Sequence, residues 1–113
     1  MTIFEKIARR EIPAKIVREE DDFLAFHDNN PQAPVHVLII PKSGALARVG
    51  DASAADAGLL GRMLVASRDI ARQLGVLESG YRLVINSGPD AGESVPHLHI
   101  HLLAGRAMAW PPG

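Results

Sequence analysis

Apolar positions recur along the chain in two rhythms. Phe4, Ile7 and Ala8 fall at helical spacing behind Thr2, and Glu5, three residues after Thr2, completes a capping-box pattern. Together they predict a short helix over about Thr2–Arg10. Pro13 cannot continue it, and the stretches Lys15–Glu19 and Asp22–Asp28 read as two strands joined by an acidic turn at Glu20 and Asp21. On the second strand Phe23, Ala25 and His27 share one face while Leu24, Phe26 and Asp28 share the other, which turns His27 away from Asp28. The Asn- and Pro-rich stretch Asn29–Pro34 reads as a loop. Val35–Ile40 is a strand-length apolar run interrupted only by His36.

Ser43–Ala52 is weakly patterned. Beyond it Ser53 and Asp56 can cap a long helix whose Leu60, Met63, Leu64, Ile70 and Leu74 follow a period near 3.6 residues, with Gly75 as its terminator. Gly80 opens a strand over Tyr81–Asn86, Ser87–Ser94 is a loop dense in turn formers, and His97–Leu103 is the last strand. Five strands with mostly short connections and one long helix predict an α+β domain, a mainly antiparallel sheet with helix packed on it. A length of 113 residues leaves room for a single domain over residues 1–113.

Composition narrows the function. Twelve Lys and Arg against 13 Asp and Glu give a net charge of -1, which lacks the broad positive footprint of a nucleic-acid binder. With no cysteine, thiolate metal sites, disulfides and cysteine nucleophiles are excluded. The N-terminus lacks an apolar signal segment and no window approaches a membrane span, so a soluble cytoplasmic protein without membrane or nucleic-acid partners is expected. Histidine is what stands out: of five, three lie within residues 97–101.

His97-Leu98-His99-Ile100-His101 alternates with period two, which on a strand puts three imidazoles on one face and the aliphatic side chains on the other. Near neutral pH an imidazole serves as nucleophile, base, acid or hydrogen-bond donor according to what its second nitrogen touches. Three readings follow: partnered structural histidines, a zinc site completed by His36, or catalysis on a phosphate. The third gains from the loop just before. Gly88 and Gly92 permit the backbone turns that aim successive amides at one anion, with Ser94 and Asn86 adding a hydroxyl and an amide.

At these residues the sequence resembles the histidine triad superfamily. Its branch of histidine triad nucleotide-binding proteins is matched by Thr2-Ile3-Phe4, Glu11–Val17, Phe26-His27-Asp28, Pro31–His36 and the ending Trp110-Pro111-Pro112-Gly113. The resemblance implies a homodimer whose two sheets join into one of ten strands, no cofactor or metal, and a purine nucleoside phosphoramidase acting on AMP-type substrates. It implies His99 as nucleophile, His101 as donor to a phosphoryl oxygen, and Ser94 and the amides near Gly92 and Glu93 as phosphate ligands. His97 and His36 would form a relay that orients His99. Asp28 would hold the ribose, Ile3, Phe4, Ile7, Phe26 and Leu38 the base, and Trp110 would reach the partner subunit's site. Without the resemblance, the apolar five are equally expected in a core and Asp28 as a cap on the following loop. The neighbouring dinucleoside polyphosphate hydrolases and a nucleotide-binding adaptor with little turnover are the alternatives. Two positions depart from the branch: Gly44 stands where a further histidine is frequent, and Asn29 where the residue beside the ribose-binding Asp is often aliphatic.

Overall fold

A computed structural model describes all of residues 1–113. Helix α1 spans Ile3–Ala8 and helix α2 Ala57–Gln73; the strands are β1 Ile16–Glu19, β2 Phe23–His27, β3 Val35–Pro41, β4 Tyr81–Val84 and β5 Ile100–Ala104. They form one five-stranded sheet in the order β1-β2-β3-β5-β4, every neighbouring pair antiparallel. This is the α+β architecture expected; α1 starts at its predicted cap, whereas the Ser53 cap starts a 3-10 turn and α2 itself begins three residues later, at Ala57 after Asp56. The Thr2 hydroxyl accepts from the Glu5 amide at 3.1 Å, and the Glu5 carboxylate accepts from the Thr2 amide at 3.1 Å. Ser53 and Asp56 make the same reciprocal pair over the short 3-10 turn that leads into α2.

Strand alternation divides the interior in two. Phe23, Ala25, Val37, Ile39, Ile100 and Leu102 face α2, which meets them with Met63, Ala66 and Ile70. Leu24, Phe26, Leu38 and Ile40 face the other way and are covered by Phe4 and Ile7 of α1. Of the apolar positions predicted to seat α2, Met63 and Ile70 are fully buried, whereas Leu64 lies on the outer surface.

The last strand differs from expectation. Its ladder with β3 begins at Ile100, so His97 and His99 precede the strand and only His101 lies on it. The cause is Pro41 at the end of β3. By the register of the ladder Pro41 would face Leu98, but it has no amide to donate, and its carbonyl is taken by the His97 ring at 2.8 Å. The Leu98 amide turns instead to the Leu46 carbonyl, 2.9 Å away. β4 likewise ends at Val84, which leaves Asn86 in the connection.

Candidate active site

The face of the sheet that α1 covers incompletely carries His36 on β3 and His101 on β5, with His99 and His97 entering from the irregular segment beside them. His36, His97 and His99 are buried and His101 is half-buried. Phe4 holds the row in place. Its ring meets His97 edge-on with centroids 5.7 Å apart and His99 at 5.0 Å, and His99 in turn meets His101 at 4.9 Å. All three imidazoles thus share the face the alternation predicted, though not one strand.

Hydrogen-bond partners fix the proton positions of two rings. A carbonyl oxygen only accepts, so the 2.8 Å contact of His97 Nε2 with Pro41 places the His97 proton on Nε2. Its Nδ1 then accepts from the Thr2 hydroxyl at 2.9 Å, while that hydroxyl accepts from Glu5. His99 Nδ1 lies 2.7 Å from the His97 carbonyl and must donate to it, which leaves Nε2 with a free lone pair. Burial pushes His97 below the usual histidine value despite its contact with Pro41, keeping it neutral.

The expected relay is therefore corrected. His99 is oriented by the main-chain carbonyl of His97 rather than by the His97 ring or by His36. His36 bonds His101 instead, Nε2 to Nδ1 at 2.9 Å, with Asp28 Oδ2 3.5 Å from the same Nε2. His101 sits well below its ordinary value, at about 4, first because it is buried and then because His99 and His36 are near, with Asp28 opposing. It is neutral at pH 7. Burial lowers His36 as well.

Beside the histidines runs a groove of about 1020 Å³, lined among others by Ile3, Phe4, Ile7, Phe26, Leu38 and Asp28, with Asn29, His36, Ser94 and His101 also on its wall. These sequence-selected residues meet in one cavity whose wall combines apolar with polar side chains, the usual build of a small-molecule site. Asp28 also caps the following loop as its alternative reading held: its Oδ1 accepts from the Asn30 amide at 2.8 Å. His27, expected to turn away, lies at the exposed end of β2 and lines the groove with Lys15. Asn86, Gly92, Glu93 and Trp110 lie outside the groove wall, and Trp110 is 83% exposed; His97 and His99 are also absent from the wall, buried behind it, with His99 packed against the groove residues Phe4 and His101.

The phosphate-type loop has the shape the glycines allow, with φ of 91° at Gly88 and 80° at Gly92. Its amides are used differently from expectation. Gly92 N–H donates to the Pro89 carbonyl at 3.0 Å and Glu93 N–H to the Gly88 carbonyl at 3.3 Å, so both are spent inside the loop. The amides of Ser94 and Val95, which follow and whose residues face the groove, have no main-chain acceptor. The Glu93 carboxylate closes the loop like a buckle. It accepts from Gly88 N–H at 3.1 Å and from the Arg48 guanidinium at 2.8 and 3.0 Å, and that guanidinium holds it down at about 2. Arg48 falls in the stretch that had no hydrophobic pattern, and nothing in the sequence singled it out. At Gly44 an added Cβ would overlap the Glu5 carboxyl group, so the α1 cap fills the space of the side chain missing there.

Residues 9–108 match the HIT domain family. The chain belongs to this family. It is 48% identical over 113 residues to the adenylylsulfatase HINT1 of Arabidopsis thaliana, covering 99% of this chain and 76% of that protein. A HIT family hydrolase from Legionella pneumophila superposes with a TM-score of 0.96 at 47% identity, each chain covered completely. The histidine triad nucleotide-binding protein of Candida albicans gives 0.82 at 30% identity, covering 98% of this chain and 83% of that one. Within the HIT family the chain thus sits in the histidine triad nucleotide-binding branch.

The zinc reading tests poorly against the donor set. Asp28, His36 and His101 offer ligand atoms within 4.8 Å of one another, but His36 Nε2 and His101 Nδ1 already share one proton across 2.9 Å. A metal there would have to displace that hydrogen bond and its proton, and His36 Nδ1, engaged by the Gln32 amide at 3.0 Å, could not take up the proton without losing that contact. His36 and His101 are built instead as a hydrogen-bonded pair, with Asp28 Oδ2 3.5 Å from His36 Nε2.

Proposed function

We propose that this HIT protein is a purine nucleoside phosphoramidase, releasing a nucleoside monophosphate from 5'-phosphoramidates or related nucleotidyl conjugates. The broader class, a nucleotide hydrolase, goes with the family; the leaving group is our reading. The observation that carries it is the His99 ring, whose Nδ1–H is held by a carbonyl so that the Nε2 lone pair is free, between Phe4 and a neutral His101.

In the first step Nε2 of His99 bonds to the α-phosphorus and the P–N bond breaks, its electron pair leaving on the amine, which takes up a proton from solvent. In the second, water bonds to phosphorus and gives up a proton to solvent while the Nε2–P bond breaks, returning the lone pair to His99. Splitting one displacement into two suits imidazole, which both attacks and leaves well. Charge developing on the phosphoryl oxygens would be met by His101, the Ser94 hydroxyl and the amides of Ser94 and Val95. Asp28 would accept from the ribose through Oδ2, and Ile3, Phe4, Ile7, Phe26 and Leu38 would flank the purine. Gly92, Glu93 and Asn86 would act on the phosphate by shaping the loop. We propose further that the chain works as a homodimer joined at the free edge of β4 into a ten-stranded sheet, with Trp110 reaching the partner subunit's site. The Ala109 carbonyl just before Trp110 is tied to Arg82 of that edge strand at 3.0 Å.

The test is AMP release from adenosine 5'-phosphoramidate and from a diadenosine polyphosphate, by wild type and His99→Ala. Release from the phosphoramidate that is lost in the variant is the expected result. Equal rates for the two proteins would remove His99 from the chemistry, and preference for the diadenosine compound would move the assignment to the polyphosphate hydrolases. His99→Gly is expected to keep binding AMP, since the loop and Asp28 remain.

A further inference from the structure

The hydrogen bond between His36 and His101 has no direction of its own, because either ring could own the shared proton. The direction is settled outside the pair. Gln32 N–H lies 3.0 Å from His36 Nδ1. A main-chain amide can only donate, so His36 Nδ1 holds a lone pair and neutral His36 carries its proton on Nε2. That proton points at His101 Nδ1, 2.9 Å away, and a neutral His101 that accepts on Nδ1 carries its own proton on Nε2.

We propose that the main-chain amide of Gln32 is a positioning group for the reaction: acting through His36, it makes His101 meet the substrate as an N–H donor. In the opposite polarity His101 would turn a lone pair toward the negatively charged phosphoryl oxygens, and the interaction would change sign. The amide is held for this purpose by its surroundings. Asp28 Oδ1 fixes the Asn30 amide at 2.8 Å, the Gln32 side chain donates to the Asn30 carbonyl at 3.0 Å, and Arg106 donates to the Gln32 carbonyl at 3.1 Å. Asp28 Oδ2, 3.5 Å from His36 Nε2, favours the same tautomer. The proposal rests on the phosphoramidase reading only for what His101 meets; the tautomers belong to the free protein.

Because the acting group is main chain, side-chain truncation and amide removal separate cleanly. Histidine 15N spectra at pH 7 should show protonated Nε2 on His36 and His101 in wild type and in Gln32→Ala, which keeps the amide. Gln32→Pro, which lacks it, should show mixed tautomers at both rings with the His97 signals unchanged, and a kcat for AMP release reduced roughly tenfold relative to Gln32→Ala. Arg106→Ala should move the same signals by less, and it serves with the wild-type spectrum if Gln32→Pro does not fold. A wild-type His101 protonated on Nδ1 would overturn the proposal. So would a Gln32→Pro protein that folds and keeps the tautomers and rate of Gln32→Ala. If the tautomers follow Gln32 while no variant or wild type cleaves phosphoramidate, the relay stands and the assigned reaction fails.

Discussion

The two faces of the sheet are built from the same strands and do opposite work. On one, the 17-residue helix α2 lies over Val37, Ile39, Ile100 and Leu102. All of these are fully buried, as are Met63 and Ile70 of the helix. On the other, the 6-residue helix α1 covers Phe26 and Leu38 and stops short, leaving the groove and the histidines along its edge. Alternating residues of one strand thus serve packing and chemistry: Ile100 and Leu102 anchor the strand that presents His101. A rigid, closed face is what allows the open one to hold polar groups in fixed positions at a cost in burial.

The comparison breaks most sharply on exchange of single residues between the faces. His99→Ala should lower AMP release by on the order of 10⁴-fold with a smaller loss of melting temperature than Ile70→Ala, since it removes the nucleophile and one buried hydrogen bond while Phe4 still covers the site. Ile70→Ala should do the reverse, costing roughly 2–5 kcal/mol of stability by urea unfolding while the folded fraction keeps wild-type kcat. A large loss of kcat in folded Ile70→Ala, or of stability in His99→Ala, would show that the faces are not separable. Arg48→Met should fall between them. Unbuckling Glu93 leaves the histidines in place but frees the loop, and AMP release should drop by roughly ten- to a hundredfold. An unchanged rate would mean the loop needs no clamp.

The closed face was the more legible of the two in the sequence, because hydrophobic period reports burial and little else. The spacing of Met63 and Ile70 and the alternation of β2, β3 and β5 predicted who faces α2, the Thr2 cap marked the start of α1, and the Ser53 cap marked the 3-10 turn that leads into α2. On the open face, residue types were legible and their partners were not. His36, His99, His101 and Asp28 could be selected by chemistry, and they do converge. That His99 is oriented by a carbonyl, His101 by His36 and Gln32, and the loop by Arg48 depends on main-chain groups and on a long-range ion pair, which leave no periodic trace. The misplaced start of β5 has the same origin: alternation continues through His97–Leu103, but Pro41 on the neighbouring strand denies it a ladder.

The smallest effect sharpens the comparison in thermodynamic terms. A core of aliphatic residues is indifferent to pH, so pH dependence near neutrality should come from the open face. His101 is held at about 4 by burial first and then by His99 and His36, against the opposing pull of Asp28, below the ordinary value near 6.5 that it regains on unfolding. Between those values the unfolded chain binds more protons than the folded one, and stability therefore rises with pH there. The contribution is complete above about pH 6.5 and is lost as pH falls toward 4, and the lowered His36 and His97 act in the same direction. The melting temperature should be flat from pH 7 to 8 and decline steadily from pH 6.5 to 4.5. His101→Gln, which cannot protonate, should flatten part of that decline, whereas Ile70→Ala should lower the whole curve without changing its slope. An equal slope in His101→Gln and wild type would move the source of the pH dependence away from the groove and undo the assignment of a neutral, half-buried donor at His101.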